Sequence, residues 1–296
     1  MRVALLAALG AVIAMPAAAE PAAGVDVFHS SDSDHTEVLK IGTNLDWVSN
    51  GADQHAGVRL EKAWLKPIGR RGREMDRAYL RFADTSGGWK WSIAPGTDGR
   101  TVLGGASIHN EAQFRQEYFV ERDIVETPAG LRRGIYYTFG GAALDVPLNA
   151  LNNLTLFGGL QEFTGGNLRS HARATYVHVL EPKWGLSLQL RARYFHSSDP
   201  HEFDYYSPRW YAELLPVAQM RRFVGGWQLL GAAGYGRQRD ADSGWHSSRY
   251  LNARVSSPAF QKKWAFNVQA TYSNTPVSSG LVYRYTQFSL GLTRKL

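Results

Sequence analysis

The run WGLSLQLRARYFH (184–196) confines this chain to a narrow set of folds. Leu186, Leu188, Leu190, Ala192 and Tyr194 take every second position, and Ser187, Gln189, Arg191 and Arg193 fill the positions between them. Successive side chains of a strand point to opposite faces, so this dyad period reads as an extended strand with one apolar and one polar face. KWAFNVQATYS (263–273) repeats it, setting Trp264, Phe266, Val268, Ala270 and Tyr272 against Ala265, Asn267, Gln269, Thr271 and Ser273. RAYLRF (77–82) opposes Ala78, Leu80 and Phe82 to Arg77, Tyr79 and Arg81. HARATYVHVL (171–180) and LVYRYTQFSLGL (281–292) follow the pattern less strictly.

Turn signals separate these runs: SNGAD (49–53), TSGG (85–88), PGTDG (95–99), NALNN (149–153), TGGN (164–167) and ADSG (241–244). Each supplies Gly, Asn or Asp for a tight reversal. Helical periodicity is weak throughout. The best helix candidate, EAQFRQEYFVERDIVE (111–126), also reads as a strand leading into a loop. No linker or composition break divides the chain.

Such an all-β chain could be a soluble sandwich or a membrane barrel, and three features favour the barrel. The strands run to about 10–13 residues, and crossing the hydrocarbon core takes about 9–11. Trp47, Trp64, Trp89, Trp91, Trp184, Trp227, Trp245 and Trp264 fall near strand ends, as interfacial aromatic girdles do. Arginines such as Arg77, Arg81, Arg173, Arg191 and Arg193 stand in mid-strand on the polar face, which suits a watery lumen. The expectation is an all-β, transmembrane, antiparallel up-and-down barrel of 14–16 strands, with 16 preferred.

MRVALLAALGAVIAMPAAAE opens the chain with a positive residue, an apolar run and an Ala-x-Ala pattern, so residues 1–19 read as a secretory signal peptide and 20–296 as the barrel. The apolar run is too short for a membrane-spanning helix, which takes roughly 20 residues. There is no cysteine, which excludes disulfides and thiol chemistry. The formal net charge of +7 is spread along the chain, and no basic tail of the nucleic-acid-binding kind is present. The localisation expected is the Gram-negative outer membrane, with membrane lipid and lipopolysaccharide as surroundings and no nucleic-acid partner.

The stretch GGNLRSHARATYVHVLEPKWGLSLQLRARYFHSSDPHEFDYYSPRWYAELLP (165–216) adds a resemblance. Asn167-x-Arg169 at a strand start, the long alternating hairpin, YYSPRWY (205–211) and then GWQLLGAAGYGRQ (226–238) resemble the C-terminal outer-membrane barrel of exopolysaccharide secretion proteins, the cellulose synthase operon protein C type and its relatives. The likeness covers about a third of the chain. Two features depart from that family. No tetratricopeptide superhelix is read ahead of the barrel, and the last residue is Leu296, not an aromatic. The resemblance implies a monomeric export channel for an exopolysaccharide, without covalent chemistry or cofactor. A separate periplasmic tetratricopeptide or scaffold protein and an inner-membrane synthase would be its partners.

In that reading the polar face lines the path. Its candidate residues are Arg77, Tyr79 and Arg81, then Asn167, Arg169 and Arg173. Gln189, Arg191, Arg193, Tyr283 and Tyr285 complete the set. Tyrosines can stack on sugar faces, and amides and guanidinium groups can hydrogen-bond hydroxyls. The arginine excess favours an anionic polymer. The competing reading pairs these arginines across the lumen with Glu61, Glu111, Glu117 and Glu121, as wall structure only. Tyr205 and Tyr206 read as girdle aromatics, with direct substrate contact as the alternative.

FHSSD occurs twice, at 28–32 and 195–199. Both copies read as a strand dissolving into a polar, outward loop. An outer-membrane acyl hydrolase using Ser30 or Ser197 with His29 or His196 is the second function considered. Adjacent strand residues point to opposite faces, however, so His29 and Ser30 do not easily meet while extended, and the base would have to come from another strand. A metal site from His29, Asp32, Asp34 and His35, with Asp199 and His201, matches no recognised calcium or zinc spacing, and no metal is expected. A general porin or structural barrel is the third reading.

Overall fold

The computed structural model describes residues 20–33, 36–66, 72–258, 263–275 and 284–296; the predicted signal peptide, 1–19, lies outside them. The alternating runs form sixteen strands of 9–15 residues. The first six are β1 (Glu20–Asp32), β2 (Glu37–Ser49), β3 (His55–Lys66), β4 (Arg73–Ser86), β5 (Trp89–Thr97) and β6 (Val102–Asn110). β7 (Arg115–Ile124) is followed by a one-and-a-half-turn helix, α1 (Pro128–Arg133). Next come β8 (Tyr136–Asn149), β9 (Asn152–Phe163), β10 (Leu168–Glu181), β11 (Leu186–Ser197) and β12 (Trp210–Val224). β13 (Trp227–Asp240), β14 (His246–Ser256), β15 (Trp264–Ser273) and β16 (Tyr285–Lys295) complete the set.

Every strand pairs antiparallel with its sequence neighbours, and β1 closes on β16 from Ala22 opposite Lys295 to Asp32 opposite Tyr285. Closure removes the unpaired edges that an open sheet would present. The preferred count of sixteen holds. The 111–126 segment resolves as strand β7 rather than helix.

Exposure fixes which face is which. On β11, Leu188, Leu190 and Tyr194 are 47%, 42% and 45% exposed, whereas Ser187 and Phe195 are 6%. The apolar face therefore points out and the polar face points in, the reverse of a soluble sandwich. The register carries that parity from strand to strand: Leu190 lies opposite Tyr176 on β10 and Pro216 on β12, and Arg191 opposite Thr175 and Leu215.

The two ends differ. The chain termini share an end with short connections such as 87–88, 150–151 and 225–226. The other end carries the long ones, 125–135 and 198–209. Short turns face the periplasm and long loops the exterior in such barrels. Trp47, Trp89, Trp91, Trp184, Trp227 and Trp264 ring the periplasmic end, while Trp64 and Trp245 lie toward the outer end.

Candidate functional site

The inward face of β9–β14 holds the densest cluster of candidate residues. Arg173 on β10 lies opposite Arg193 on β11 and Phe157 on β9. One strand step lower, Thr175 lies opposite Arg191 and Thr155. A lumenal cavity of about 590 Å³ is lined by Arg173, Gln189, Arg191, Arg193 and Tyr285, together with Glu213 and Tyr250. Five residues predicted from parity alone thus converge on one cavity.

Their guanidinium groups are held in different ways. Arg193 meets Glu213 at 3.1 Å and donates to the Tyr211 hydroxyl at 3.1 Å. Arg191 donates to Gln189 Oε1 at 2.8 and 3.0 Å and sits 4.9 Å from the Tyr250 ring centroid. Arg254, on β14, donates to Gln269 on β15. Arg173 lies 5.0 Å over the Phe157 ring. Among the described residues, Arg173, Arg191 and Arg254 reach no carboxylate within ion-pair distance. This wall thus holds three guanidinium groups without a direct ion-pair partner among the described residues.

An aromatic band winds past these arginines. Phe119 on β7 packs edge-on to Phe139 on β8 at 5.1 Å and parallel to Phe157 on β9 at 5.9 Å. Phe139 then meets His171 on β10 at 4.9 Å, His171 meets Phe195 on β11 at 5.7 Å, and Phe195 stacks on Tyr211 of β12 at 5.1 Å. Glycine makes room for it. A Cβ at Gly159 would stand 2.8 Å from Phe157 Cζ and 2.9 Å from Phe139 Cε2. None of these aromatics was among the candidate lumen residues. The signal was present, because Phe157 and Phe163 share parity with Thr155 and Gln161 rather than with Leu156 and Leu160.

The opposite wall is neutralised. Arg77 is 4% exposed and bridges Glu61 and Asp123 at 3.2 Å each. Arg59 pairs with Asp26 and, at 2.7 Å, with Glu61. Arg81 pairs with Asp46 at 3.1 Å. Tyr79 packs against the apolar cluster beside them. The wall-structure reading therefore holds for Arg77 and Arg81, with Glu61 as expected but with Asp46 and Asp123 in place of the other partners. Glu111 instead meets Lys90 and Glu117 meets Arg115.

Two loops fold into the outer mouth. Leu131 of α1 packs with Val38, Ala63, Leu65, Met75 and Leu103, which belong to the inner face of β2–β6. Lys40 on β2 holds Glu126 at 2.6 Å, and Arg73 on β4 donates to the Leu131 carbonyl. The β11–β12 loop clasps the same segment: Asp204 accepts from the Thr127 hydroxyl at 2.6 Å and from Ala129 N at 2.7 Å. Thr127 in turn caps α1 by accepting from Gly130 N.

Asn167 and Arg169 belong to this mouth rather than to the mid-lumen. Asn167 is 1% exposed and donates to the Tyr205 hydroxyl at 3.0 Å. Arg169 lies over Phe195 at 4.5 Å and Phe163 at 5.0 Å and donates to the Tyr206 carbonyl. Tyr205 stacks on Phe163 at 4.3 Å, and Tyr206 donates to Asp240. The girdle reading of these tyrosines is corrected: they are drawn inward because their hydroxyls find buried partners there, not at the lipid interface. Burial, together with Glu202 and against the Asn167 bond, pushes the Tyr205 hydroxyl up to about 12.

Both FHSSD segments run from strand into outer loops, as expected. Ser30 and Ser197 are buried on the inner face, while His29 and His196 share the outer parity of Phe288 and Trp210. Neither histidine faces its neighbouring serine. Among the described residues no group of three or more His, Asp or Glu side chains converges on a metal position. Asp34, His35 and Tyr283 lie outside the described residues.

No family model matches the chain, and no curated protein sequence does. Its fold matches solved structures. A bacterial polysaccharide outer membrane secretin superposes with a TM-score of 0.69 at 11% identity, over 93% of this chain and 98% of that one. This chain is an outer-membrane β-barrel. Weaker likenesses are to OccK5 of Pseudomonas aeruginosa (TM-score 0.40, 11% identity, 94% and 98% of the two chains) and to the KdgM porin in complex with disordered oligogalacturonate (0.38, 10%, 92% and 99%). At these identities the likeness establishes the fold alone.

Proposed function

We propose that the barrel is an export passage for an anionic exopolysaccharide, of the kind implied by the likeness of 165–238 to the cellulose synthase operon protein C family. The observation that carries this reading is the half-buried rings of Phe119, Phe139, Phe157 and Tyr250 on one wall, with Arg173 over Phe157 and Arg191 over Tyr250. Sugar rings offer C–H faces that pack on aromatic rings, and guanidinium groups bind carboxylates with two parallel hydrogen bonds. A band of weak, repeated contacts lets a chain slide, because a conducting path must not hold any one unit tightly. The polar wall of β2–β4, with its charges paired off, supplies a hydrated surface that binds little. The role requires no bond to be made or broken and no cofactor. A separate periplasmic scaffold would deliver the polymer from the synthase to a monomeric barrel, and residues 1–19 would be removed on export.

Liposome swelling tests it. Vesicles holding the refolded protein are expected to swell in uronate oligosaccharides faster than in neutral ones of equal length, and Arg173→Ala/Arg191→Ala is expected to remove the difference. Equal rates for both sugars in the unaltered protein would overturn the anionic reading.

A further inference from the structure

The lipid-facing side of β11–β16 carries a feature that the lumen does not explain. An apolar depression of about 720 Å³ crosses the outer surface there. It exists because two outward rows are built largely from small residues. Gly231 lies opposite Met220 and Ala253, and Ala233 opposite Ala218 and Leu251. A Cβ at Gly231 meets nothing within 4 Å, so the space outside it is open. Larger neighbours, Leu186, Met220, Leu251 and Tyr272, form its rim.

Directly toward the outer end, the same outward parity changes character. Tyr235 and Arg249 form the next row, Arg237 the one beyond it and Arg239 the last. All three arginines are exposed. Arginine facing lipid is costly at the bilayer midplane and nearly free at the interface, which fits these strand-end positions. Two other outward cations at the outer end are balanced: Lys62 meets Glu74 and Asp76, and Lys66 meets Glu37. Here the neighbouring acids are committed elsewhere. Asp240 accepts from Tyr206 inside the mouth, and Asp242 faces His201 at 3.1 Å. Among the described residues no carboxylate reaches Arg237, Arg239 or Arg249 within ion-pair distance.

We infer that this face is a seat for one phosphorylated glycolipid of the outer leaflet, its acyl chain in the depression and its phosphates on Arg237, Arg239 and Arg249. Charge complementarity selects the headgroup, since guanidinium forks match phosphate oxygens. Depth selects the source: the cations stand at the interface and the groove below them in the hydrocarbon layer. A soluble phosphate would use only the upper half. The seat is independent of what passes through the lumen.

The test uses the full barrel in detergent and diphosphoryl lipid A as probe, with bound lipid counted by native mass spectrometry. Each arginine near the surface contributes about 1 kcal/mol toward an anionic lipid. Arg237→Gln/Arg249→Gln is therefore expected to weaken binding about 30-fold, tenfold following from each 1.4 kcal/mol. Gly231→Leu, which fills the groove without a backbone clash, is expected to weaken it independently. Arg222→Gln, outward at the periplasmic end, serves as control and is expected to change nothing. Arg237→Lys/Arg249→Lys retains the charge and is expected to recover most of the binding if the glutamine pair folds poorly. Equal binding of the dephosphorylated lipid, or of inorganic phosphate at the same concentration, would overturn the seat. So would an unchanged affinity in both the arginine and the glycine variants.

Discussion

Asp204 offers a sharp test of whether the outer loops close the mouth. Its carboxylate holds two groups of the β7–β8 connection, the Thr127 hydroxyl at 2.6 Å and Ala129 N at 2.7 Å. Hydrogen bonds to a charged acceptor contribute about 1.5–3 kcal/mol each, and Asp204 is partly exposed, so the lower half of that range applies. Asp204→Ala then costs about 3–4.5 kcal/mol of docking, which shifts the docked-to-undocked ratio by about 140- to 1,600-fold. Barrel stability should hardly change, because the strand ladder is untouched and Thr127 still caps α1 through Gly130 N. In planar bilayers the variant is expected to show longer open times and larger mean conductance than the unaltered protein. The chain contains no cysteine, so Thr127→Cys/Asp204→Cys can be introduced cleanly, and its disulfide is expected to lock the low-conductance form until reduced. Identical traces for the alanine variant, and for the oxidised and reduced cysteine pair, would refute the idea that this clasp governs the mouth.

Three further outcomes are expected. Raising the pH should undock the β11–β12 loop: Tyr205 is held protonated by burial, so its contribution is complete below the unfolded value near 10 and is lost as the pH climbs toward about 12. Absorbance at the tyrosinate band, followed with conductance, checks this; ionisation of all tyrosines in one step near 10 would contradict it. Gly159→Val should destabilise the barrel by about 1–3 kcal/mol in urea unfolding, since the new side chain drives into Phe157 and Phe139. Arg173→Ala, which removes an unpaired guanidinium from the lumen, should lower anion preference in reversal-potential measurements, whereas Arg81→Ala/Asp46→Ala, which removes an ion pair and changes no net charge, should leave it unchanged.

Much of the barrel was legible in the sequence because alternation is local. Leu188 and Arg191 betray their faces through their immediate neighbours, and parity then propagates around the sheet through hydrogen-bond register. The lumenal cluster of Arg173, Gln189, Arg191, Arg193 and Tyr285 followed from the same parity. What alternation cannot give is which charges meet across strands. Arg77 and Arg173 look alike in sequence, yet one lies between Glu61 and Asp123 and the other over Phe157. The inward loops escaped for another reason: their partners are distant in the chain, as Asp204 is from Thr127. A local signal for α1 did exist, in TPAGLRRG (127–134), where a capping threonine, proline at the first turn and a closing glycine bracket the helix. Tyr205 and Tyr206 mislead by composition alone, since aromatics at strand ends suit a lipid interface and a packed mouth equally well.

The most direct measurement is single-channel recording of the refolded protein while uronate oligosaccharides are added to one side. A passage for an anionic polymer should show blocking events whose duration grows with oligomer length and shortens when Arg173 and Arg191 become alanine. Neutral sugars of the same length should block more briefly. An open channel that uronates enter without any interruption of current, or that they block equally with and without the two arginines, would contradict the assignment of this wall as the path of the polymer.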